Sequence, residues 1–162
     1  MSSLKKFIVA PLAVFALSAS VHSMAAPINH TIMLQATVPT KDFYVLPSDS
    51  TWIGNVQQLQ YNAVTGDLSS LVKTFDVKNT AGNVTAQVTS SASLAGPAVI
   101  PLTVKFNGIA LGATPVEVVK ADVAKAATTA KLEIIPVKPA AGYVAGTYDG
   151  NINLTFDAGI KP

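Results

Sequence analysis

From Pro27 to Thr40 the chain reads as one long alternating strand, and this period constrains the fold more than any other feature. Ile28, Ile32, Leu34, Ala36 and Val38 share one face, with His30 in the same register. Asn29, Thr31, Gln35 and Thr37 share the other, where Met33 is the one large apolar residue. A period of two is what a half-buried strand requires. A chain terminus frays unless something ties it down. A terminal strand with one apolar face is therefore suited to joining the sheet edge of another subunit.

The residues before this strand read as a secretory signal. Lys5 and Lys6 form a positive n-region, Phe7 to Val21 an apolar h-region, and Ser23-Met24-Ala25 the small residues a signal peptidase reads. Cleavage is expected between Ala25 and Ala26. A retained membrane anchor is the weaker alternative, because the apolar run is short for a bilayer and has no stop-transfer flank.

The residues from Ala26 onward suffice for one domain with a real core. All 11 basic residues of the chain are Lys, and two of them leave with the signal. The exported part then holds as many Lys as Asp plus Glu (9), so its formal charge is near zero. It has no Lys run and no Lys/aromatic patch, which argues against nucleic acid as a partner. Near-neutral charge favours self-association. With 0 Cys there is no disulfide, and stability must come from packing and strand pairing.

Short β-strands account for most of the remaining sequence. Phe43 to Leu46 is an apolar run closed by Pro47-Ser48-Asp49, and Leu59 to Tyr61 precedes a turn at Val64-Thr65-Gly66-Asp67. Leu71, Lys73, Phe75 and Val77 fall on one face of a strand, as do Val84, Ala86 and Val88 of the next. Ile100, Leu102, Val104 and Phe106 lead into Asn107-Gly108. Asn-Gly suits a two-residue type I′ hairpin, whose two central residues need positive φ. That turn pairs Phe106 with Ile109 and Val104 with Leu111. Ala121 to Ala130 reads as a helical turn or a loop, Lys131 to Val137 as a strand, and Gly150 to Phe156 as the last one. About seven short strands separated by turns predict an all-β, immunoglobulin-like sandwich.

Chemistry is sparse. His30 is the one His left after signal removal, and no Cys or clustered carboxylate accompanies it, so no metal site and no Ser-His-Asp or Cys-His set is expected. No GxSxG and no phosphate-binding glycine loop occurs. Asp42 with Asp49, or Asp149 with Asp157, reads as solvated surface. Trp52 reads as a core or loop anchor before a sugar-stacking platform. No cofactor and no enzymatic activity are expected.

Thr31-Ile32-Met33-Leu34-Gln35-Ala36-Thr37-Val38-Pro39 resembles the N-terminal extension of colonisation-factor-type fimbrial major pilins, the class 5 or alpha-clade chaperone–usher pilins. Ile100-Pro101-Leu102-Thr103-Val104 followed by Asn107-Gly108 resembles their middle, and Ala145 to Phe156 their last strand with its Gly-x-Tyr-x-Gly opening. The likeness covers most of the exported chain in order. It departs in the tail, Ala158 to Pro162, and at Pro39-Thr40, where the family is expected to place an acidic residue before its proline.

The resemblance implies an incomplete immunoglobulin-like β-sandwich, completed by a donor strand from a neighbouring subunit. It divides the chain into a signal (1–25), a donor-strand extension (26–39) and a pilin domain (40–162). It implies Ile28, His30, Ile32, Leu34, Ala36 and Val38 as the donor face, and Tyr148, Ile152, Leu154 and Phe156 as the lining of the acceptor groove. The implied partners are identical subunits in a head-to-tail filament, a periplasmic chaperone, an outer-membrane usher and a tip adhesin. The implied function is a structural subunit of a surface fibre used for adhesion, exported through the periplasm. The alternatives are a secreted monomeric carbohydrate-binding β-sandwich, for which Trp52, Tyr44, Tyr61 and Tyr143 offer no clustering, and a minor or adaptor pilin.

Overall fold

The computed structural model describes residues 42–159. The expected signal cleavage site, the donor face from Ile28 to Val38 and the two domain boundaries before residue 42 lie outside the described residues.

Eleven strands and one helical turn make up the described chain: β1 (Phe43–Pro47), β2 (Tyr61–Asn62), β3 (Asp67–Leu68), β4 (Leu71–Asn79), β5 (Val84–Val88), β6 (Ser93–Ala95), β7 (Val99–Phe106), β8 (Ile109–Ala110), β9 (Val116–Val119), α1 (Ala121–Ala124), β10 (Thr128–Pro136) and β11 (Leu154–Ala158). A six-stranded sheet has the order β1-β4-β10-β7-β6, with β8 on β7. A three-stranded sheet has the order β11-β5-β9, and β2 pairs β3 in a small hairpin. Every pairing is antiparallel. The expected all-β sandwich is the observed architecture.

The alternation read from sequence becomes the core. Phe75 and Val77 of β4, Val104 and Phe106 of β7, and Ala130 and Leu132 of β10 are buried on the inner face of the large sheet. Val84, Ala86 and Val88 of β5 and Val118 and Val119 of β9 are buried against them from the small sheet. Phe156 of β11 completes the contact: its ring lies 4.8 Å from that of Phe106 and 6.2 Å from that of Phe75. Aromatic rings at such distances add to the area they bury.

The Asn107-Gly108 turn is as expected. Asn107 has φ 50° and Gly108 φ 81°. Phe106 faces Ile109, and the Leu111 amide donates to the Val104 carbonyl at 2.9 Å. The Asn107 side chain adds a bond of 2.8 Å to the Val118 carbonyl, which ties the turn to β9.

Three boundaries differ from expectation. β10 begins at Thr128, inside the Ala-rich stretch, because Thr128 and Thr129 pair with Val77 and Asp76 of β4. Ladder pairing there overrides the helical preference of alanine, which survives only in α1. The last strand begins at Leu154 instead of Gly150. Ser90 Oγ donates to the Asn151 carbonyl and accepts from the Asn153 amide, so side-chain bonds take the place of a ladder there. Val116–Val119, which the sequence reading passed over between Pro115 and the Ala-rich stretch, is a strand on β5 with a register shift at Val84/Thr85.

A candidate acceptor groove along the last strand

β11 is an edge strand whose only partner among the described residues is β5. Its register runs from Leu154 opposite Val88 to Ala158 opposite Val84. The Thr89 amide donates to the Asn153 carbonyl and the Gly159 amide to the Asn83 carbonyl, each at 2.9 Å. Antiparallel alternation then directs the backbone groups of 153, 155, 157 and 159 to β5 and those of Leu154, Phe156 and Ala158 to the other edge. That edge carries no strand among the described residues.

The side chains of Leu154 and Phe156 face the sandwich, while Ala158 is exposed. Ile152, Leu154 and Phe156 are half-buried and pack on the buried core. Beyond Ile152 the inner face continues as an open cleft of about 660 Å³. Leu71 of β4, Leu102 of β7, Ile134 of β10 and Leu94 of β6 contribute apolar walls, and residues 54–57 with Leu59 form the opposite rim. Backbone hydrogen-bonding capacity and apolar wall thus lie side by side. An arrangement of this kind suits an extended strand held through its main chain and alternate side chains. Left open, it is an aggregation hazard.

The structure brings Ile152, Leu154 and Phe156 together on one strand and its approach. Tyr148 stands apart from that core cluster. Its hydroxyl donates to the Val144 carbonyl at 2.7 Å, and a side chain on Gly96 would run into its ring. Leu71, Leu94, Leu102 and Ile134 were not named as groove residues from sequence. Leu71 and Leu102 lie on faces the alternation had marked, but alternation says which face is apolar and not which part of it stays uncovered.

Trp52 anchors the loop after β1 to the core, with its ring 6.0 Å from Phe75 in an edge contact. The ammonium of Lys73, on the inner face of β4, lies 5.1 Å from the Trp52 ring centre. The remaining tyrosines require a correction: Tyr61 and Tyr143, which looked scattered, meet edge to face at 6.5 Å and share a 290 Å³ pocket with Tyr148. Beside them Lys138 bonds Asp67 at 2.8 Å and the Thr65 carbonyl at 2.9 Å. The Lys138 bond holds the Asp67 carboxyl below its ordinary value, and the Asp67 bond raises Lys138. Asp49 is lowered by hydrogen bonds from the Thr51 hydroxyl and amide. Among the described residues no group of three or more His, Cys, Asp or Glu is placed to hold a metal.

Residues 28–157 match the family described as CS1 type fimbrial major subunit. Among solved structures the chain is similar to the CooA pilin subunit from enterotoxigenic Escherichia coli, with 19% identity and a TM-score of 0.61, over 72% of this chain and 86% of that one. The likeness is one of fold. No curated protein sequence matches the chain.

Proposed function

The chain belongs to the family of CS1 type fimbrial major subunits, and from that premise we propose that its subunits join by donor-strand exchange. A fimbrial major subunit is a structural protein that builds a cell-surface fibre from copies of itself. In the proposed joint, the donor face of one copy (Ile28, His30, Ile32, Leu34, Ala36 and Val38) lies along the acceptor groove of the next. Ile152, Leu154 and Phe156 line that groove, with Tyr148 at its outer end.

One observation carries this reading: at Leu154 and Phe156 the outer backbone edge of β11 and a side chain left half-buried over the core belong to the same residue. An alternating donor matches both at once. Each large aliphatic chain that becomes fully buried contributes about 1.5–3 kcal/mol. The same edge calls for a periplasmic chaperone to cover it after signal removal at Ala25/Ala26, and for an outer-membrane usher to exchange that cover for the next donor. A tip adhesin ends the fibre. In this reading residues 26–39 are the extension, residues 40–162 the pilin domain, and no step is enzymatic.

The test is size-exclusion chromatography and electron microscopy of the mature chain, with and without residues 26–38, each co-produced with its chaperone. The full chain is expected to give fibres and SDS-resistant ladders, and the truncated chain a one-to-one chaperone complex. Stable chaperone-free monomers from both would refute the proposal.

A further inference from the structure

We propose that Asn79 is a positioning residue for the acceptor strand, holding the C-terminal end of β11 in register before a donor arrives. This rests on the donor-strand reading above. Asn79 is 1% exposed, the one buried polar residue among those described. Its side-chain amide donates to the Asn83 carbonyl at 2.6 Å and to the Gly159 carbonyl at 3.1 Å, and its oxygen accepts from the Ala81 amide at 3.1 Å. Both polar atoms of the side chain are thus bonded, as burial requires.

The placement of those bonds gives the residue its role. Asn79 is the last residue of β4 in the large sheet, whereas Asn83 leads into β5 and Gly159 follows β11 in the small one. One amide therefore links the two sheets where the acceptor strand ends. β11 is the outer strand of its three-stranded sheet and, among the described residues, has a strand neighbour on one side alone. Its other end is held by Ser90, through Asn151 and Asn153. Between these two pins the edge at Leu154, Phe156 and Ala158 is presented.

Gly159 is a second sign of close fit. A Cβ at that position would fall on the Asn83 side-chain oxygen. Asn83 is itself held, because its amide donates to Glu117 of β9. The end of β11 thus sits against the Asn83 side chain, which a residue larger than glycine would have to displace.

The test uses the mature chain held by its chaperone and a synthetic peptide of residues 27–40 as donor. Asn79→Ala is expected to slow peptide uptake about tenfold or more and to speed amide exchange at Thr155, Asp157 and Gly159. The thermal midpoint of the finished peptide complex should fall by only about a few degrees. Gly159→Ala removes no hydrogen-bonding side chain and should slow uptake as well, which keeps the test open if Asn79→Ala does not accumulate. Wild-type uptake rates in these variants, whatever their midpoints, would overturn the proposal. If the wild-type chain takes up no peptide, the donor-strand reading itself falls. The exchange measurement, which needs no donor, then decides whether Asn79 pins β11: unchanged exchange at the three amides overturns the clasp.

Discussion

Phe156 touches the Phe75 and Phe106 rings of the large sheet from the edge of the small one, so it joins the two sheets at the place where the small one ends. Truncating a fully buried Phe costs about 3–5 kcal/mol. Phe156 is half-buried in the chain without a donor, so Phe156→Ala should cost about 2–3 kcal/mol there and about 3–5 kcal/mol once a donor covers it, read by urea denaturation of the donor-complemented subunit. Leu154→Asp has a different outcome, because it places a charge against the core. Periplasmic levels of the chaperone complex should collapse, and normal levels would remove Leu154 from the groove. The Asp67–Lys138 pair behaves as a surface bridge. Asp67 is lowered from 3.8, so its contribution is present above that value and is lost as pH falls through the lower folded value. Lys138 is raised from 10.5, so its contribution is present below that value and is lost as pH rises through the higher folded value. The pair's contribution is therefore constant between about pH 5 and 9, and exposure with salt screening keeps it small. Lys138→Met should leave the thermal midpoint in physiological salt essentially unchanged.

At the scale of elements, the β7–β8 hairpin was the most legible part of the chain. Asn107-Gly108 carries its own conformational signature, and the structure has it, down to the Phe106–Ile109 pair. Gly108→Ala forces an L-residue to hold φ near 81° and should cost about 1–2 kcal/mol in denaturant unfolding. The ends of β10 and β11 were not legible, because partners far away in sequence decide them. Thr128 pairs with Val77, and Ser90 takes the bonds of Asn151 and Asn153. The proposed donor strand is tested at this scale too. Leu34→Asp should abolish fibres while leaving the chaperone complex intact, since in the proposed assembly the chaperone would supply its own strand. Fibres of normal length from that variant would refute the donor register.

For the whole molecule, the proposed donor on one side and groove on the other would make a heterologous contact, which continues into an open filament. Residues 26–162 hold 9 Lys against 9 Asp plus Glu, which puts little electrostatic repulsion in the way of stacking copies. In the proposed joint a core is completed as well as a strand docked, so its lifetime would be set by an unfolding-like barrier. Fibres built from two differently labelled subunit pools and then mixed should exchange no subunits over days, monitored by energy transfer. Rapid mixing of the labels would show a surface-docked contact in place of a shared core.

The sequence by itself determined the strand faces, the Asn-Gly hairpin, the poverty of catalytic groups and the apolar register of the segment from Ile28 to Val38. These follow from local periodicity and residue chemistry, which a linear reading can see. Only the tertiary structure decided which apolar face stays uncovered. Leu71 and Ile134 share their pattern with buried neighbours such as Phe75 and Leu132, yet they are left half-buried on the wall of the cleft. It also decided that Asn79, an ordinary residue at a strand end, sits buried between two sheets, and that Tyr61 and Tyr143 meet at a pocket that Tyr148 also lines. Such contacts join residues tens of positions apart, and their geometry is set by the packing of one sheet on another, which no local pattern encodes.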